Sequence, residues 1–298
     1  MDRYHAMRVF VRIADSGGFA ETARQMHLSP PAVTRAVASL EDIIGARLFT
    51  RTTRTVKLTE VGQRYLEDCR NILAAIEEAE AAAAGAYAKP TGNLTVTASV
   101  LFGRLYVIPI MTEFLDLHPG VTGRTLFLDR VTNLVDEGID VAIRIGHLPD
   151  SSYSAIKVGE VRRVICGSPD YFERRGAPRE PSDLADHRII AATGAWTSLE
   201  WRFGAGGKTG VHVRPVLFCN SNSAAIEAAK SGWGLTRLLS YQIGPDLQDG
   251  KLQIVLEDHE QEPLPVHVVH PEGRNASAKV RAFVDFAVAR LRANRLIN

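Results

Sequence analysis

Residues 19–41, FAETARQMHLSPPAVTRAVASLE, carry the strongest structural signal in the chain. Their first part, Phe19–Met26, has the spacing of a short helix, and a two-residue turn follows. Ser29 is a good N-cap for a second helix that runs to about Ile44. The two prolines after Ser29 fit the first turn, because the backbone N–H groups there have no intrahelical partner. Two short helices joined by a tight turn are typical of a helix-turn-helix, whose second helix enters the major groove of DNA.

The residues on either side of this pair predict one more helix and a wing. Met7, Phe10, Val11 and Ala14 recur at helical spacing and predict the buried face of a preceding helix. Basic and β-branched residues alternate around a polar tip over residues 47–58, which indicates a two-stranded wing. Basic side chains on such a wing can reach DNA phosphates or an adjacent minor groove.

Charge is segregated along the chain, although the net charge is only +1. Residues 1–58 hold nine basic and five acidic side chains, and residues 59–88 hold two basic and six acidic ones. The remaining residues are nearly balanced, with 24 basic and 23 acidic side chains. A small basic unit followed by an acidic helix and a balanced remainder indicates a nucleic-acid module attached to a domain of another kind.

Composition excludes several classes of protein. The chain has 298 residues, 45% of them apolar, and no apolar run approaches the roughly 20 residues that cross a bilayer. Its first ten residues carry charges where a signal peptide would be apolar, so we expect a cytoplasmic protein with no membrane partner.

The sequence contains no metal-binding or catalytic pattern. Cys69, Cys166 and Cys219 are an odd number at wide spacing, which encodes neither a disulfide framework nor a zinc site. Residues 204–209 end in Gly-Lys-Thr, as a phosphate-binding loop does. That loop also has a glycine five positions before the Gly-Lys-Thr, and this chain has Arg202 there. Hydrolase, metalloprotease and dinucleotide-binding motifs are absent from the sequence. We therefore expect no cofactor, no metal and no catalytic residue.

Several separated motifs in the N-terminal part closely resemble the winged helix-turn-helix of LysR-type transcriptional regulators. They are Phe19–Ala23, Leu28–Arg35, Leu40–Glu41, Leu48–Arg54 and Leu58–Gly62. The resemblance extends over essentially the whole chain. It implies an all-α winged helix-turn-helix domain over residues 1–58, a linker and dimerisation helix over 59–88, and an effector-binding domain over 89–298.

One departure from the family pattern affects base recognition. Many family members carry Gln after the capping serine, and this chain has Pro30 there, so an amide that could pair with adenine is missing. Base reading should therefore shift to Thr34, Arg35 and contact from the proline rings. The residues expected to contact DNA are Ser29, Pro30, Pro31, Thr34, Arg35, Arg51, Thr53, Arg54 and Lys57.

The linker helix carries an apolar stripe. Its members alternate at spacings of three and four, which predicts a two-stranded seam with one polar flaw. They are Leu66, Cys69, Leu73, Ile76, Glu80, Ala83 and Tyr87. Packing against its own chain is the alternative; the resemblance favours a helix pair between two subunits, as a homodimer or within a homotetramer.

From residue 93 onward, short β-rich runs alternate with helical patterns, which predicts an α/β domain with parallel sheets and crossover helices. The pattern includes a helix over Val131–Glu137 and a single strand over Val211–Cys219. Ligands in α/β sheets bind beyond the carboxyl ends of strands, at the N-termini of the following helices. Ser99, which can cap its helix, and Asn222 stand at two such places.

The resemblance implies that this α/β domain is periplasmic-binding-protein-like, with two subdomains joined by two crossover strands. Subdomain I would cover about 93–163 and 267–298, and subdomain II about 164–266. A small ligand would lie in the cleft between them, with Arg144 as the natural partner for a carboxylate. The residues expected to touch the ligand are Ser99, Leu101, Phe102, Arg144, Ile145, Gly146, Asn222 and Thr236.

These observations favour a ligand-responsive DNA-binding transcriptional regulator whose partners are double-stranded DNA, a small-molecule effector and further copies of itself. Two alternatives remain open. An enzyme that uses the α/β cleft would turn over a small acid without DNA, and a ligand-independent DNA-binding repressor would show no stabilisation by any ligand.

Overall fold

The computed structural model describes residues 2–51, 56–83, 89–149, 152–192, 198–271 and 276–297. The chain divides into two compact units, Met1–Asn93 and Leu94–Asn298.

The first unit begins with three helices, α1 (Arg3–Ser16), α2 (Phe19–Gln25) and α3 (Pro30–Ile44). Local chemistry fixes their ends. The Ser29 side chain accepts a hydrogen bond from the Ala32 N–H at 3.4 Å, which confirms the N-cap expected for α3. Gly17 and Gly45 end α1 and α3 in the left-handed conformation that favours glycine.

These helices bury one apolar core. The face predicted for α3 lies in it, but the face predicted for α1 is only partly right, because Val11 and Ala14 are only partly buried and the core takes Val9 and Ile13 as well. The core joins α1 to α3 and positions the opposite face of α3 toward solvent. Its fully buried members on these two helices are Val9, Phe10, Ile13, Val33, Ala36, Val37 and Leu40.

A short wing and a long helix complete the first unit. The wing strands are β1 (Phe49–Arg51) and β2 (Val56–Leu58), which pair antiparallel, and α4 (Glu60–Ala83) follows. Gly62 allows the first turn of α4 to approach the wing closely, because a Cβ there would lie 2.0 Å from the carbonyl oxygen of Leu48.

The first turns of α4 pack on their own unit. The apolar stripe expected to face a partner helix is therefore buried within the same chain at these turns. Leu66 and Cys69 are buried in the core of the first unit, and Leu73 packs against its edge. An ion pair between Arg70 and Asp15 also ties α4 to α1. Ala83 and Tyr87 of the expected seam lie where side chains are outside the described part of the chain.

The second unit contains two five-stranded sheets. The first sheet is ordered β4-β3-β5-β14-β6, with β3 (Gly92–Ala98), β4 (Val121–Phe127), β5 (Val141–Ile145), β6 (Ser154–Val161) and β14 (Leu264–His270). The second is ordered β11-β8-β12-β7-β13, with β7 (Arg163–Gly167), β8 (Ile189–Ala192), β11 (Pro215–Cys219), β12 (Leu235–Leu239) and β13 (Gln253–Val255). Strands β9 (Glu200–Phe203) and β10 (Thr209–His212) pair antiparallel and form a separate two-stranded sheet.

Helices pack on the sheets. They are α5 (Val100–Phe102), which continues through a π-helical turn (Gly103–Val107) into α6 (Ile108–Leu117), then α7 (Pro169–Arg175), α8 (Asn222–Lys230), α9 (Gly244–Gln248) and α10 (Ala278–Arg292).

The sheets are mixed, which corrects the expectation of parallel sheets. Strand β3 runs parallel to β5, and β8 runs parallel to β11 and β12. Strand β14 is antiparallel to β5 and β6, and β7 is antiparallel to β12 and β13. The chain passes from the first sheet to the second between β6 and β7 and returns between β13 and β14. The strands that follow these two crossings, β7 and β14, run antiparallel to their neighbours.

The expected helix over residues 131–137 is wrong. The segment forms turns, in which the Asn133 side chain accepts a hydrogen bond from the Val135 N–H at 3.1 Å. This local bond competes with a helical ladder. Val131 and Val135 are 86% and 63% exposed, so their helical spacing does not bury an apolar face.

The expected single strand over residues 211–219 is also wrong. The chain leaves β10 at His212, buries Val213 and begins β11 at Pro215, in a different sheet. Because proline cannot donate a ladder hydrogen bond, Pro215 is suited to the start of a strand and not to its middle.

Candidate DNA-binding surface and ligand cavity

The outward edge of α3 exposes the residues that the sequence predicts for DNA contact. The predicted contact residues on α3 and at its N-cap are all exposed to solvent, whereas Val33, Ala36, Val37 and Leu40 on the opposite face of α3 are fully buried. The Arg35 Nε–H donates to the Pro31 carbonyl oxygen at 3.4 Å, which holds the guanidinium along the first turn of the helix. The exposed residues are Ser29, Pro30, Pro31, Thr34 and Arg35.

The wing presents a second set of basic residues, of which the structure describes only part. Lys57 is exposed on β2, opposite Thr50 of β1. The backbone of Arg51 ends β1, while Thr53 and Arg54 lie outside the described residues.

A buried carboxylate fixes the wing to α3. Glu41 is 5% exposed and accepts hydrogen bonds from the N–H groups of Leu48 at 2.8 Å and Phe49 at 3.3 Å, and from the Arg47 guanidinium at 3.0 Å. Burial by itself raises the pKa of Glu41, but these hydrogen bonds outweigh it and hold the pKa below its usual value. The sequence motif contains Glu41, yet nothing in the local pattern signals this role, because the donors come from residues beyond the helix.

The second unit contains a cavity of about 600 Å³ between its two sheets. Of the residues expected to touch a ligand, Ser99, Arg144, Ile145 and Asn222 line it. This size and the mixture of apolar walls with a few polar groups are typical of small-molecule sites.

The other four expected residues do not line the cavity, for reasons of local geometry. Leu101 and Phe102 are buried in the core of the second unit. Thr236 is fully buried on β12, where successive side chains alternate between faces, and its neighbour Arg237 lines the cavity instead. Gly146 turns away after β5 and donates its N–H to the Pro265 carbonyl oxygen at 2.8 Å.

Ser99 occupies the N-cap position before α5, but its hydroxyl does not cap the helix. The carboxylate of Asp129 accepts the hydrogen bond from the Val100 N–H at 3.0 Å instead. The Ser99 hydroxyl lies 3.2 Å from the hydroxyl of Tyr241, whose pKa burial raises to about 12. Ser99 and Tyr241 therefore form a neutral polar pair on the wall of the cavity.

Arg144 is held in place by neutral groups. Its Nη2 donates to the carbonyl oxygen of Thr132 at 2.8 Å and to the Thr132 hydroxyl at 2.5 Å. Burial lowers the pKa of Arg144, and the negative charge of Glu137 partly offsets that effect. These bonds join the segment before β5 to the strand itself and leave the guanidinium facing the cavity.

The sequence did not reveal the strongest electrostatic feature of the cavity. Among the described residues, five arginines and two acids line it. The arginines are Arg130, Arg144, Arg163, Arg202 and Arg237, and the acids are Asp129 and Glu200. Most of these residues come from strands far apart in the chain, so no local motif could have identified the group.

No cluster of three or more potential metal ligands occurs within the described residues. In that same part of the chain, no helix has the length and apolar character needed to span a membrane.

Two family models match the chain. A model described as "Bacterial regulatory helix-turn-helix protein, lysR family" matches residues 4–63. A model described as "LysR substrate binding domain" matches residues 88–292. Together they match parts of both units and leave residues 64–87 between them.

Similar proteins are regulators over nearly their full length. An uncharacterised HTH-type transcriptional regulator of Haemophilus influenzae is 30% identical over 281 residues, which cover 94% of this chain and 98% of the relative. An HTH-type transcriptional regulator of Xanthomonas campestris is 34% identical, over 95% of this chain and 84% of the relative. An HTH-type transcriptional repressor of Pseudomonas aeruginosa is 31% identical, over 97% and 92%.

Among solved structures, CrgA, a LysR-type transcriptional regulator from Neisseria meningitidis, is similar with a TM-score of 0.63 and 26% identity. The likeness covers 97% of this chain and 99% of that protein. The full-length virulence activator AphB of Vibrio cholerae shares the fold, with a TM-score of 0.60 and 23% identity over 97% of this chain and 99% of its own.

Proposed function

Because the chain belongs to the family of LysR-type transcriptional regulators, we propose that it binds promoter DNA through α3 and the wing and a small effector in the cavity of the second unit. The observation that carries the proposal is the division of α3 into two faces. One face is fully buried in the core, while its N-terminal edge exposes hydroxyl, guanidinium and proline groups. Such an edge fits the major groove of DNA.

Each DNA-contacting residue has a proposed role. Thr34 and Arg35 read base edges, since a guanidinium pairs bidentately with guanine and a threonine methyl contacts thymine. Ser29, Pro30 and Pro31 lie against the backbone and bases at the N-terminus of α3. Phosphate and minor-groove contacts come from Arg51, Thr53, Arg54 and Lys57 of the wing.

Ser99, Arg144, Ile145 and Asn222 are the residues that we propose contact the effector, because all four line the cavity. We propose that Leu101, Phe102, Gly146 and Thr236 act from behind this wall by fixing its shape. An effector can change DNA binding only to the extent that it prefers one arrangement of the protein over another. A role as an enzyme is not part of the proposal.

We propose that two copies pair through the part of α4 from Ile72 onward. Ile76 is half-buried and Ile72 is 42% exposed, so this part of the helix keeps apolar surface for a partner. One winged domain also buries too little DNA for tight specific binding, which favours a homodimer or a homotetramer built from dimers. A regulator of this kind acts where the chromosome is, in the cytoplasm.

DNA binding by the wing is tested with duplexes that the purified wild-type chain selects from a random library. We expect Lys57→Ala and Arg54→Ala each to weaken binding and to reduce the slope of log K against log salt by about 1, since each removes one phosphate contact. Fluorescence anisotropy over a salt series measures both quantities. Arg175→Ala, which removes an exposed arginine of α7, is the matched control and should change neither. Unchanged affinity and slope in both wing variants would refute the assigned contacts.

A further inference from the structure

Two guanidinium groups share one face of the second sheet inside the cavity. Strands β7 and β12 pair antiparallel with Arg237 opposite Ile165 and Leu239 opposite Arg163. Residues directly opposite each other in a sheet point to the same face, so Arg163 and Arg237 are diagonal neighbours on that face. Both line the cavity.

The two guanidinium groups repel each other, although Arg163 also donates a hydrogen bond to the side-chain oxygen of Gln261 at 3.2 Å. Burial lowers the pKa of Arg163, and burial together with the positive charge of Arg163 lowers the pKa of Arg237 to about 10. The guanidinium carbon of Arg237 lies 4.9 Å from the centre of the Trp201 ring, which supports the cation without neutralising it.

Arg202 and Arg130, which also line the cavity, have carboxylate partners. Arg202 pairs with Glu200 at 3.1 Å, and Arg130 pairs with Glu137 at 2.8 Å. Arg237 has no carboxylate within ion-pair distance among the residues that the structure describes. The positive charge of Arg237 is therefore left for something that enters the cavity.

A separate positive charge faces the cavity from the first sheet. Among the described residues, the hydrogen bonds of the Arg144 guanidinium on β5 go to the neutral groups of Thr132, as described above. Apolar side chains lie in the wall that both guanidinium sites share. They are Leu128, Ile143, Ile145, Ile190 and Leu199.

We propose that the effector is a small organic dianion with two carboxylates joined by an apolar spacer, one bound by Arg163 and Arg237 and the other by Arg144. This inference rests on the proposed function of the cavity as the effector site. Charge-assisted hydrogen bonds to guanidinium groups supply affinity, and the apolar wall accepts the spacer. Because the two ends of the ligand attach to different sheets, the ligand prefers one arrangement of the sheets, which is what an effector requires.

The test compares diacids with monoacids of equal chain length on the full-length wild-type protein. The probes are succinate, adipate and suberate against butyrate, hexanoate and octanoate, at constant ionic strength and neutral pH. A ligand that binds the folded state raises the melting temperature. We expect at least one diacid to raise it more than its matched monoacid, and calorimetric titration of that diacid to give a measurable Kd. A series in which no diacid exceeds its monoacid would overturn the inference.

Two variants test the arginine pair. Arg237→Met keeps a side chain on the Trp201 ring but removes the charge, and Arg163→Gln removes the other member. We expect each to weaken diacid binding by about tenfold to one-hundredfold, the range for charge-assisted hydrogen bonds. Without ligand, Arg237→Met should raise the melting temperature, because it relieves the repulsion between the two guanidinium groups. A merely structural Arg237 would instead lower the melting temperature and leave diacid binding intact, which would refute the inference.

Arg188→Met is the matched control, since Arg188 also lies over a tryptophan, Trp233, at 5.5 Å, but does not line the cavity. It should leave diacid binding unchanged. The experiment also separates this inference from the proposed function. If Arg144→Gln abolishes binding of an acid while Arg237→Met and Arg163→Gln do not, the cavity remains the effector site and the dianion assignment fails. If DNA binding fails while the diacid response and its loss in the arginine variants persist, the dianion site stands alone.

Discussion

At the scale of single residues, the first unit depends on a carboxylate that no sequence pattern marks as special. Glu41 connects α3 to the wing by accepting from two backbone N–H groups and one guanidinium. Buried acceptors of this kind are costly to lose, because their donors are then left unsatisfied. Glu41 therefore helps to fix the orientation of the wing relative to α3.

We expect Glu41→Gln to destabilise the protein by about 1–3 kcal/mol, since an amide has one acceptor oxygen where the carboxylate has two. Chemical denaturation at neutral pH measures the change. Asp42→Asn, at the exposed neighbouring position, is the control and should have almost no effect. Equal stability of Glu41→Gln and wild type would contradict the role given to Glu41.

The stability of the wild type should also depend on pH through Glu41. Its pKa is lower in the folded state than the ordinary value of 4.5, so the carboxylate contributes stability above that value. This contribution should disappear as the pH falls below 4.5 through the folded-state pKa. Denaturation measured from neutral pH to below pH 4.5 should show a steeper loss of stability below pH 4.5 for wild type than for Glu41→Gln. Parallel pH profiles of stability for wild type and Glu41→Gln would contradict this contribution of Glu41.

Gly62 is a second residue on which the first unit depends. A methyl group at Gly62 would meet the carbonyl oxygen of Leu48 at 2.0 Å, so Gly62→Ala should force β1 and α4 apart and cost about 1–3 kcal/mol or more. Gly18→Ala is the comparison, because a Cβ at Gly18 meets nothing within 4 Å. Thermal denaturation should show a much larger decrease in melting temperature for the first variant, and similar decreases would contradict the close approach.

At the scale of elements, α4 combines two kinds of surface. Its first turns are buried in their own unit through Leu66 and Cys69, whereas its later turns keep Ile72 and Ile76 at the surface of the single chain. The sequence spacing alone could not distinguish these parts, because a stripe of apolar residues looks the same whether it packs on its own chain or on a partner.

Two substitutions should separate the two parts of α4. Leu66→Ala should lower the stability by about 2–5 kcal/mol by leaving a cavity in the core. Ile76→Lys should leave the fold intact but shift the oligomer toward single chains, because it places a charge in the proposed helix pair. Circular dichroism and sedimentation velocity measure the two effects. An Ile76→Lys protein that sediments like the wild type would rule out this part of α4 as the interface.

Elements with strong local signals were predictable from the sequence. The three N-terminal helices follow from apolar spacing, the Ser29 cap and the two terminating glycines, all of which act within a few residues. The segments 131–137 and 211–219 failed because Asn133 and Pro215 decide the local structure against the apolar pattern. Strand direction was missed because it depends on where the chain crosses between sheets.

In the candidate cavity, too, only the residues with a local sequence signal were predictable. Ser99 and Asn222 were found because they follow strands and precede helices, a rule that can be read from local sequence. Arg163, Arg202 and Arg237 come from β7, β9 and β12, and only the folded chain brings them to one surface. The register of β7 with β12 places Arg163 and Arg237 on one face of the second sheet, and the sequence does not contain this register in any local form.

In the whole molecule, one unit presents an exposed helix edge and the other contains a cavity that is lined, among the described residues, by five arginines and two acids. Both units have counterparts in LysR-type regulators over nearly the full length of the chain. The two proposals that follow, base reading by α3 and a dianionic effector, involve separate residues and can be tested separately.

Specific recognition of DNA by α3 can be measured as a difference in affinity between two duplexes. Equilibrium binding of the selected duplex and of a scrambled duplex of equal length gives a specificity ratio. For the Thr34→Ala, Arg35→Ala double variant we expect this ratio to fall by about tenfold or more, since a bidentate base contact is worth about 1–3 kcal/mol, while binding to the scrambled duplex persists. A double variant that keeps the wild-type ratio would contradict the claim that this helix reads DNA.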